Sequence, residues 1–252
     1  MVKVAAISYL NTLPLIYGLK NHSVSKQIDL TVCIPSIGAD MVRSGEADLG
    51  IIPVAMAPFI PNYQIVTDYC IGATGDVASV LLCSHVPLHE ISKIYLDTES
   101  RTSVTLARVL CRHYWKITPE FADFNFTTAP CNPCDSYIII GDKALELRNK
   151  FNYVYDLASE WIKFKRKPFV FACWIANKEL DPGFIKEFNN ALEFGVNNID
   201  KAIDSAKLNF PKQFVRDYLS NHISYNLDSN KKEGLQDFWA LALEELKSKV
   251  RW

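Results

Sequence analysis

The sequence predicts an α/β protein made of two lobes, and three features of the chain support this. Strand-like and helix-like segments alternate through the first half, an apolar strand recurs at Pro168–Ile175, and helical patterns follow from Pro182 onward. Alternation of this kind gives a mostly parallel sheet with helices on both faces. Two such units, a returning strand and a helical C-terminal tail predict two lobes joined by two crossover strands.

The first lobe is predicted to contain three strands that alternate with two helices. Each strand is a short apolar run, and each helix follows a polar break or a proline. In chain order, these are a strand at Val2–Ile7, a helix at Leu13–Leu19, a strand at Leu30–Ile34, a helix from Pro35 through Val42 and a strand at Leu49–Pro53. A further strand at Val80–Cys83 is closed by Pro87, so the lobe is expected to break off near residue 88.

The second lobe is predicted to span residues 89–168, which leaves 1–88 and 169–252 for the first lobe. It begins with a strand at Ile94–Asp97, which is followed by a helix and a strand at Tyr137–Ile140. The last helix of the tail has the clearest apolar face, with residues three or four positions apart. That face consists of Leu235, Phe238, Trp239, Ala242, Leu243, Leu246 and Val250.

Composition is that of an ordinary globular protein and excludes several classes of partner. The 252 residues are 49% hydrophobic and 22% charged, and the formal net charge is −1. Neither a nucleic acid nor an acidic membrane surface is therefore expected to bind. Met1 leads directly into a strand-like segment without an apolar stretch of signal length, so we expect a cytoplasmic protein. The sequence leaves the choice between monomer and homodimer open.

The cysteines favour buried, reduced thiols over a disulfide framework, because there are seven and most lie in apolar runs. Cys131 and Cys134 form a Cys-x-x-Cys pair, but the Asn-Pro between them is typical of a turn. No second pair supplies the remaining ligands of a zinc site, and no dinucleotide-binding fingerprint is present. We therefore expect neither a metal nor a cofactor.

A strand end followed directly by a helix start predicts an anion site around Ser100. The strand ends at Asp97, Ser100 is a natural N-cap, and an amphipathic helix begins with Arg101–Ser103. The first turn of a helix carries unpaired amide groups and the positive end of the helix dipole, which together bind anions. An ordinary capped helix without a ligand would have the same sequence.

Ligands of open α/β sheets bind at the carboxyl ends of strands, so each strand that runs into a small polar turn is a candidate. These segments are Ile7–Asn11, Ile34–Ser36, Leu96–Ser103 and Ile140–Asp142, with Gly72–Ser79 as a fifth polar segment ahead of a strand. In a two-lobe protein such ends converge on the cleft between the lobes, where we expect the ligand.

Six segments in series resemble one known family. They are Ser8–Leu15, Gly45–Pro53, Gly75–Val80, Leu96–Ser103, Ile140–Leu145 and Pro168–Trp174. Each is weak alone, but in this order they resemble the chorismate dehydratase family of the futalosine route to menaquinone. The resemblance covers residues 4–174 and implies a periplasmic-binding-protein-like fold of type II that is used for catalysis.

The resemblance implies a carbon–oxygen lyase that removes water from chorismate and gives 3-[(1-carboxyvinyl)oxy]benzoate. Such an enzyme needs anchors for two carboxylates, a base at C3 and a proton donor at the C4 hydroxyl. Donors around the ring carboxylate stabilise the transition state because charge develops there. The predicted substrate-binding residues are Ser8, Ser79, Ser100, Arg101, Thr102, Ser103, Gly141 and Asp142. Arg101 is ambiguous, since its side chain either faces the substrate, points to solvent or pairs with Glu99.

Three groups are candidates for the base. Asp76 and Asp142 lie in cleft segments, but either is equally suited to a turn or an N-cap, and Asp142 more so. The third candidate is the enolpyruvyl carboxylate of the substrate itself, with Asn11 orienting the substrate and hydrogen-bonding the leaving hydroxyl. We favour this substrate-assisted hypothesis, and Asn11 and Asp76 are the predicted catalytic residues.

Two other functions remain open at this point. One is a non-catalytic binding protein for a small carboxylate, and the other is the later dihydroxynaphthoate synthase of the same pathway. The segments Ser100–Ser103 and Phe169–Trp174 match the dehydratase better. One departure from its pattern is Lys165–Lys167, where the family has a Thr-Gly-Leu-like turn, and we expect a solvated basic turn there. Phe169, Phe171 and Trp174 are expected in the core.

Overall fold

The computed structural model describes residues 1–97, 99–124 and 136–247, and Cys131 and Cys134 lie outside these ranges. The chain divides into two compact units, the first made of Met1–Ala73 and Val170–Ser229, the second of Thr74–Phe169 and Asn230–Trp252. Each unit has a sheet of its own. The mixed α/β class predicted from the alternation of strands and helices is confirmed.

Eleven strands and nine α-helices form the described part of the chain. The strands are β1 (Val2–Ile7), β2 (Ile28–Cys33), β3 (Leu49–Pro53), β4 (Gln64–Ala73), β5 (Val80–Ser84), β6 (Lys93–Asp97), β7 (Glu120–Phe124), β8 (Ser136–Ile140), β9 (Tyr153–Asp156), β10 (Phe169–Ala176) and β11 (Ser224–Asn226). The helices are α1 (Leu13–Asn21), α2 (Pro35–Ser44), α3 (Arg101–Val109), α4 (Gly141–Leu147), α5 (Leu157–Lys165), α6 (Pro182–Val196), α7 (Ile199–Ser205), α8 (Lys212–Asp217) and α9 (Ser229–Lys247).

The sheet of the first unit has the order β11-β4-β10-β3-β1-β2. Its three predicted strands, β1 to β3, are parallel to one another, with Val2 opposite Ile28 at the start of the β1–β2 pairing. The returning strand β10 is antiparallel to β3, and all its residues are buried, including Phe169, Phe171 and Trp174. The short strand β11 corrects the prediction that everything after Pro182 is helical, because it forms only through pairing with β4.

The sheet of the second unit has the order β7-β6-β8-β5-β9. Strand β6 is parallel to β7 and β8, whereas β5 is antiparallel to β8 and β9. This pairing corrects the expected boundary near residue 88, because β5 belongs to the second sheet and the first unit ends at Ala73. The five residues of β5 are buried, so the strand needs neighbours on both sides, and its sequence does not specify which sheet provides them.

The last helix, α9, belongs to the second unit and not to the first as expected. Phe238 is fully buried and packs edge-on against Phe169 and Trp161, with ring centroids 5.1 and 6.0 Å apart. Full burial of such a side chain contributes about 2 kcal/mol. The chain therefore passes between the units three times, after Ala73, Phe169 and Ser229.

The basic turn before β10 forms ion pairs with α9, whereas the sequence analysis expected a turn that contacts only solvent. Lys167 Nζ lies 3.1 Å from Asp237 Oδ2 and 3.3 Å from Glu233 Oε2, both on α9. Close by, a Cβ atom on Gly234 would lie 2.2 Å from the carbonyl oxygen of Pro168, so glycine allows the helix to approach the chain there. The departure from the family pattern at Lys165–Lys167 thus coincides with a contact to the C-terminal helix.

In the first unit, α1 and α6 pack so closely that only glycine fits at their crossing. A Cβ atom on Gly18 would lie 2.0 Å from the carbonyl oxygen of Ala191, and one on Gly195 would lie 2.0 Å from that of Pro14. Real Cβ atoms do not approach backbone oxygen this closely, so the two helices would have to move apart.

We expect Gly18→Ala to destabilise the protein by at least about 2 kcal/mol, because overpacking at a backbone contact outweighs the gain in helix propensity. Gly75→Ala is the matched control, since a Cβ atom there meets nothing within 4 Å. Urea unfolding followed by circular dichroism measures both. Equal stability of the two variants would contradict the close packing of α1 on α6.

Candidate functional site

Helix α3 begins with the cap that the sequence predicts. Ser100 is the N-cap, its Oγ accepts from the amide of Ser103 at 3.3 Å, and it donates to Ser103 Oγ at 2.8 Å. Thr102 and Ser103 are buried in the first turn. Three hydroxyl-bearing side chains and the positive end of the helix dipole are thus concentrated in a single turn, which is an arrangement suited to a carboxylate.

A buried carboxyl group lies directly ahead of this turn. Asp97 ends β6, is only 3% exposed, and accepts a hydrogen bond on Oδ1 from the amide of Glu99 at 2.9 Å. Burial raises the pKa of Asp97, and the negative charge of the neighbouring Glu99 adds to the rise, while the hydrogen bond from the Glu99 amide and the charge of Lys143 oppose it. Asp97 belongs to the segment Leu96–Ser103 of the family resemblance, but the sequence analysis predicted no role for it.

Helix α4 starts beside the same turn. Gly141 has a φ of 62°, which favours glycine, and its amide donates to the carbonyl of Ser79 at 2.8 Å. Lys143 Nζ lies 3.4 Å from Glu99 Oε1, so the first turn of α4 reaches the turn that precedes α3. Asp142 lies in that first turn of α4, where a carboxylate complements the helix dipole.

The segment from Asp76 to Ser79 is fixed by the start of α5. Asp156 caps α5 by accepting from the amides of Ala158 and Ser159, each at 3.1 Å. Its other oxygen accepts from the amide of Ala78 at 2.7 Å, which holds that residue at a φ of 61°. Such a conformation is strained for alanine and is commonest near functional sites. Burial raises the pKa of Asp156.

Asp76, a predicted catalytic residue, is exposed and accepts a short hydrogen bond from Ser159 Oγ. Ser79 is fully buried, and its carbonyl is the acceptor for Gly141 described above. Asp76 is therefore part of the turn around α5, and its carboxylate remains in contact with solvent.

All candidates of the second unit lie at one edge of its sheet. Strands β6 and β8 are parallel, so Asp97 and Ile140 finish on the same side. Strand β5 is antiparallel to β8, with Val80 opposite Ile140, so the residue before it, Ser79, lies at that edge as well. The structure thus brings together the candidates Asp76, Ser79, Ser100, Arg101, Thr102, Ser103, Gly141 and Asp142.

The first unit carries its own two candidates after β1. Asn11 lies in a single helical turn, Leu10–Thr12, and its carbonyl accepts from the Tyr225 hydroxyl at 2.9 Å. Thr12 Oγ1 donates to the carbonyl of Ile7 at 2.6 Å and closes the turn. Asn11 Oδ1 is buried and receives no hydrogen bond from any described residue. Ser8 is exposed, and its amide pairs with the carbonyl of Cys33 at 3.0 Å.

Burial raises the pKa of both Cys83 and Cys111 to about 12, so these thiols stay protonated. Across residues 1–97, 99–124 and 136–247, no group of three or more histidine, cysteine, aspartate or glutamate side chains is placed to hold a metal ion. Within the same ranges, every helix is too short or too polar to span a bilayer.

Three residues with a part in the site were missed by sequence reasoning. Asp156 had a usable signal, because an aspartate directly before the apolar positions Leu157 and Trp161 is a typical N-cap. Tyr225 lay in a region expected to be helical, and no local pattern links it to Asn11. The burial of Asp97 depends on the neighbouring strands of the sheet and has no local signal.

Comparison with solved structures defines the class of fold. A protein from Archaeoglobus fulgidus superposes with a TM-score of 0.78 at 13% identity, covering 97% of each chain. The periplasmic aliphatic sulphonate binding protein of Escherichia coli superposes with a TM-score of 0.61 at 13% identity, covering 99% of this chain and 92% of its own. The fold is therefore periplasmic-binding-protein-like, as the resemblance implied.

Sequence comparison then gives the family. The chain belongs to the menaquinone biosynthesis family, whose pattern matches residues 2–244. A relative from Thermus thermophilus, described as chorismate dehydratase, is 23% identical over 91% of both chains. Together these comparisons confirm the family expected from the six sequence segments.

We expect Asp156→Ala to destabilise the protein by about 2–3 kcal/mol, because it removes a helix cap and leaves the buried amide of Ala78 without an acceptor. Asp181→Ala is the control, since Asp181 caps α6 through the amide of Phe184 only and should cost about 1 kcal/mol. Chemical denaturation of both variants measures the difference. Equal losses would show that the bond to Ala78 adds nothing to stability.

Proposed function

We propose that this protein is a carbon–oxygen lyase that dehydrates chorismate to 3-[(1-carboxyvinyl)oxy]benzoate in the cytoplasm. Membership of the menaquinone biosynthesis family and the relative described as chorismate dehydratase support the reaction. The observation that carries the proposal is the first turn of α3, where Ser100 caps the helix and its hydroxyl is hydrogen-bonded to that of Ser103. A substrate with two carboxylates matches this concentration of donors.

The proposed role of this turn is to hold the ring carboxylate. Removal of the C3 proton pushes negative charge through the ring double bond onto that carboxylate. Donors fixed in advance by the fold then stabilise the charge more strongly in the transition state than in the ground state. Thr102 and Ser103 meet the requirement for fixed position, since both are buried in the helix.

Asn11 is the proposed partner of the leaving C4 hydroxyl. Its backbone is fixed by Tyr225 and its Oδ1 is buried without a donor among the described residues. A buried acceptor left unpaired costs about 1–3 kcal/mol. Binding of the substrate hydroxyl would satisfy this oxygen, and the side-chain amide would donate to the hydroxyl oxygen as the carbon–oxygen bond breaks.

For the C3 proton we propose the enolpyruvyl carboxylate of the substrate as the base. That carboxylate takes the proton from C3, and the electrons of the C–H bond delocalise through the ring double bond onto the ring carboxylate. They return to form the new C3–C4 double bond as the C4 hydroxyl leaves. The transferred proton completes the departing water, so atoms and charge balance. Asp76 is the alternative base, but its exposed carboxylate is already held by Ser159, and Asp142 occupies an ordinary helix-start position.

Incubation of the purified protein with chorismate tests the reaction directly. We expect a product lighter by one water, formed faster than without protein and identified by chromatography and mass spectrometry. Unchanged chorismate together with clear thermal stabilisation would instead indicate a binding protein for a small carboxylate. Absence of both effects would exclude chorismate as the ligand.

We expect Asn11→Ala to lower the turnover of chorismate by roughly 100-fold or more, since one fixed hydrogen bond at the departing group is lost. The melting temperature should stay close to that of the unaltered protein. Asn21→Ala is the matched control, because Asn21 is exposed at the end of α1 and bonds only its own helix. Equal turnover in both variants would exclude the proposed role of Asn11.

A further inference from the structure

Asp97 is the most deeply buried acid at the candidate edge of the second sheet. Its side chain is 3% exposed, and it ends β6 three residues before the cap of α3. Oδ1 accepts from the amide of Glu99 at 2.9 Å, which shapes the turn leading into Ser100. Oδ2 is buried and has no hydrogen-bond partner among the described residues.

This geometry does not suit an ionised carboxylate. A buried carboxylate needs several hydrogen-bond donors, whereas Asp97 has one. Its neighbours in the sheet are apolar, because Asp97 pairs with Phe124 on β7 and the preceding Leu96 pairs with Ile138 on β8. Among the described residues, the charged groups that act on it are Glu99 in its own turn and Lys143 on α4. Because Lys143 also pairs with Glu99, its charge is shared between the two acids.

We propose that Asp97 is a positioning residue that carries a proton whenever the first turn of α3 holds a carboxylate. The proposal rests on the function proposed above and deepens it. Protonated Asp97 keeps the turn through its bond to the Glu99 amide without placing a second negative charge beneath the bound anion. Ionised Asp97 repels that anion through a low-dielectric interior, where like charges interact strongly.

The direction of titration follows from this arrangement. Burial already raises the pKa of Asp97 in the free protein. A bound carboxylate raises it further, so binding draws a proton from solution wherever the free protein is partly ionised at this site. Affinity is then full below the pKa of Asp97 in the free protein and falls as the pH rises through it.

Calorimetry in buffers of different ionisation enthalpy counts the protons taken up on binding. The probe is 3-[(1-carboxyvinyl)oxy]benzoate, which undergoes no dehydration. We expect the unaltered protein to take up a proton with the ligand and to lose affinity by about tenfold per pH unit above the pKa of Asp97. Asp97→Asn, which keeps an acceptor for the Glu99 amide, should bind without proton uptake and with affinity independent of pH.

Asp123→Asn is the matched control, because this substitution removes the same charge from an exposed residue of β7, which lies opposite Leu96. It should retain the proton uptake of the unaltered protein. Identical uptake in Asp97→Asn and Asp123→Asn would overturn the proposal, as would a loss of affinity in Asp97→Asn that is equal at every pH. The second result would show that the turn needs an ionised carboxylate.

Carbon-13 titration of the Asp97 carboxyl, assigned by comparison with Asp97→Asn, separates this proposal from the proposed function. We expect its midpoint to lie above the ordinary aspartate value of about 3.9. An ordinary or lower midpoint overturns the role of Asp97 whatever the ligand is. Failure of the protein to change chorismate, with a raised midpoint and coupled proton uptake, would reject the lyase and retain Asp97 as part of a carboxylate-binding site.

Discussion

The first amide groups of a helix have no acceptors within the helix, and this deficit shapes the candidate site. In the second unit, α3, α4 and α5 each begin where a strand ends at the same edge of one sheet. Ser100 supplies the acceptor for α3 and Asp156 supplies it for α5, while α4 begins at Gly141 without a side-chain cap. Three helix N-termini and their dipoles are therefore concentrated at this edge, and this arrangement favours an anion as the ligand.

Two acids, the buried Asp97 and the half-buried Asp156, maintain the turns that connect these strands to their helices. Asp156 has both oxygens engaged, and one of them holds Ala78 in a strained conformation next to Ser79. Asp97 has one oxygen engaged and one without a partner in the described structure. Protein contacts therefore account for both carboxyl oxygens of Asp156. They account for only one oxygen of Asp97, so the charge state of Asp97 is the more informative of the two about ligand binding.

The fold by itself does not distinguish a receptor from an enzyme, because a periplasmic binding protein and this chain share it. The difference must lie in a few side chains. In the first unit, Asn11 is the side chain for which we propose such a role, since its backbone is fixed by Tyr225 from the far end of the chain and its side-chain oxygen is buried. A binding protein has no need of a group that acts on a leaving hydroxyl, whereas a dehydratase does.

Local sequence determined the alternation of strands and helices, the Ser100 cap and most of the candidate segments, because these features depend on neighbouring residues. It also carried the family resemblance, since the six segments are short and ordered. Only the tertiary structure decided that β5 joins the second sheet and that α9 packs against Trp161 and Phe169. Fully apolar segments pack equally well in either unit, so their partners follow from long-range pairing. The burial of Asp97 and the bond from Tyr225 to Asn11 have the same origin, because each depends on residues distant in sequence.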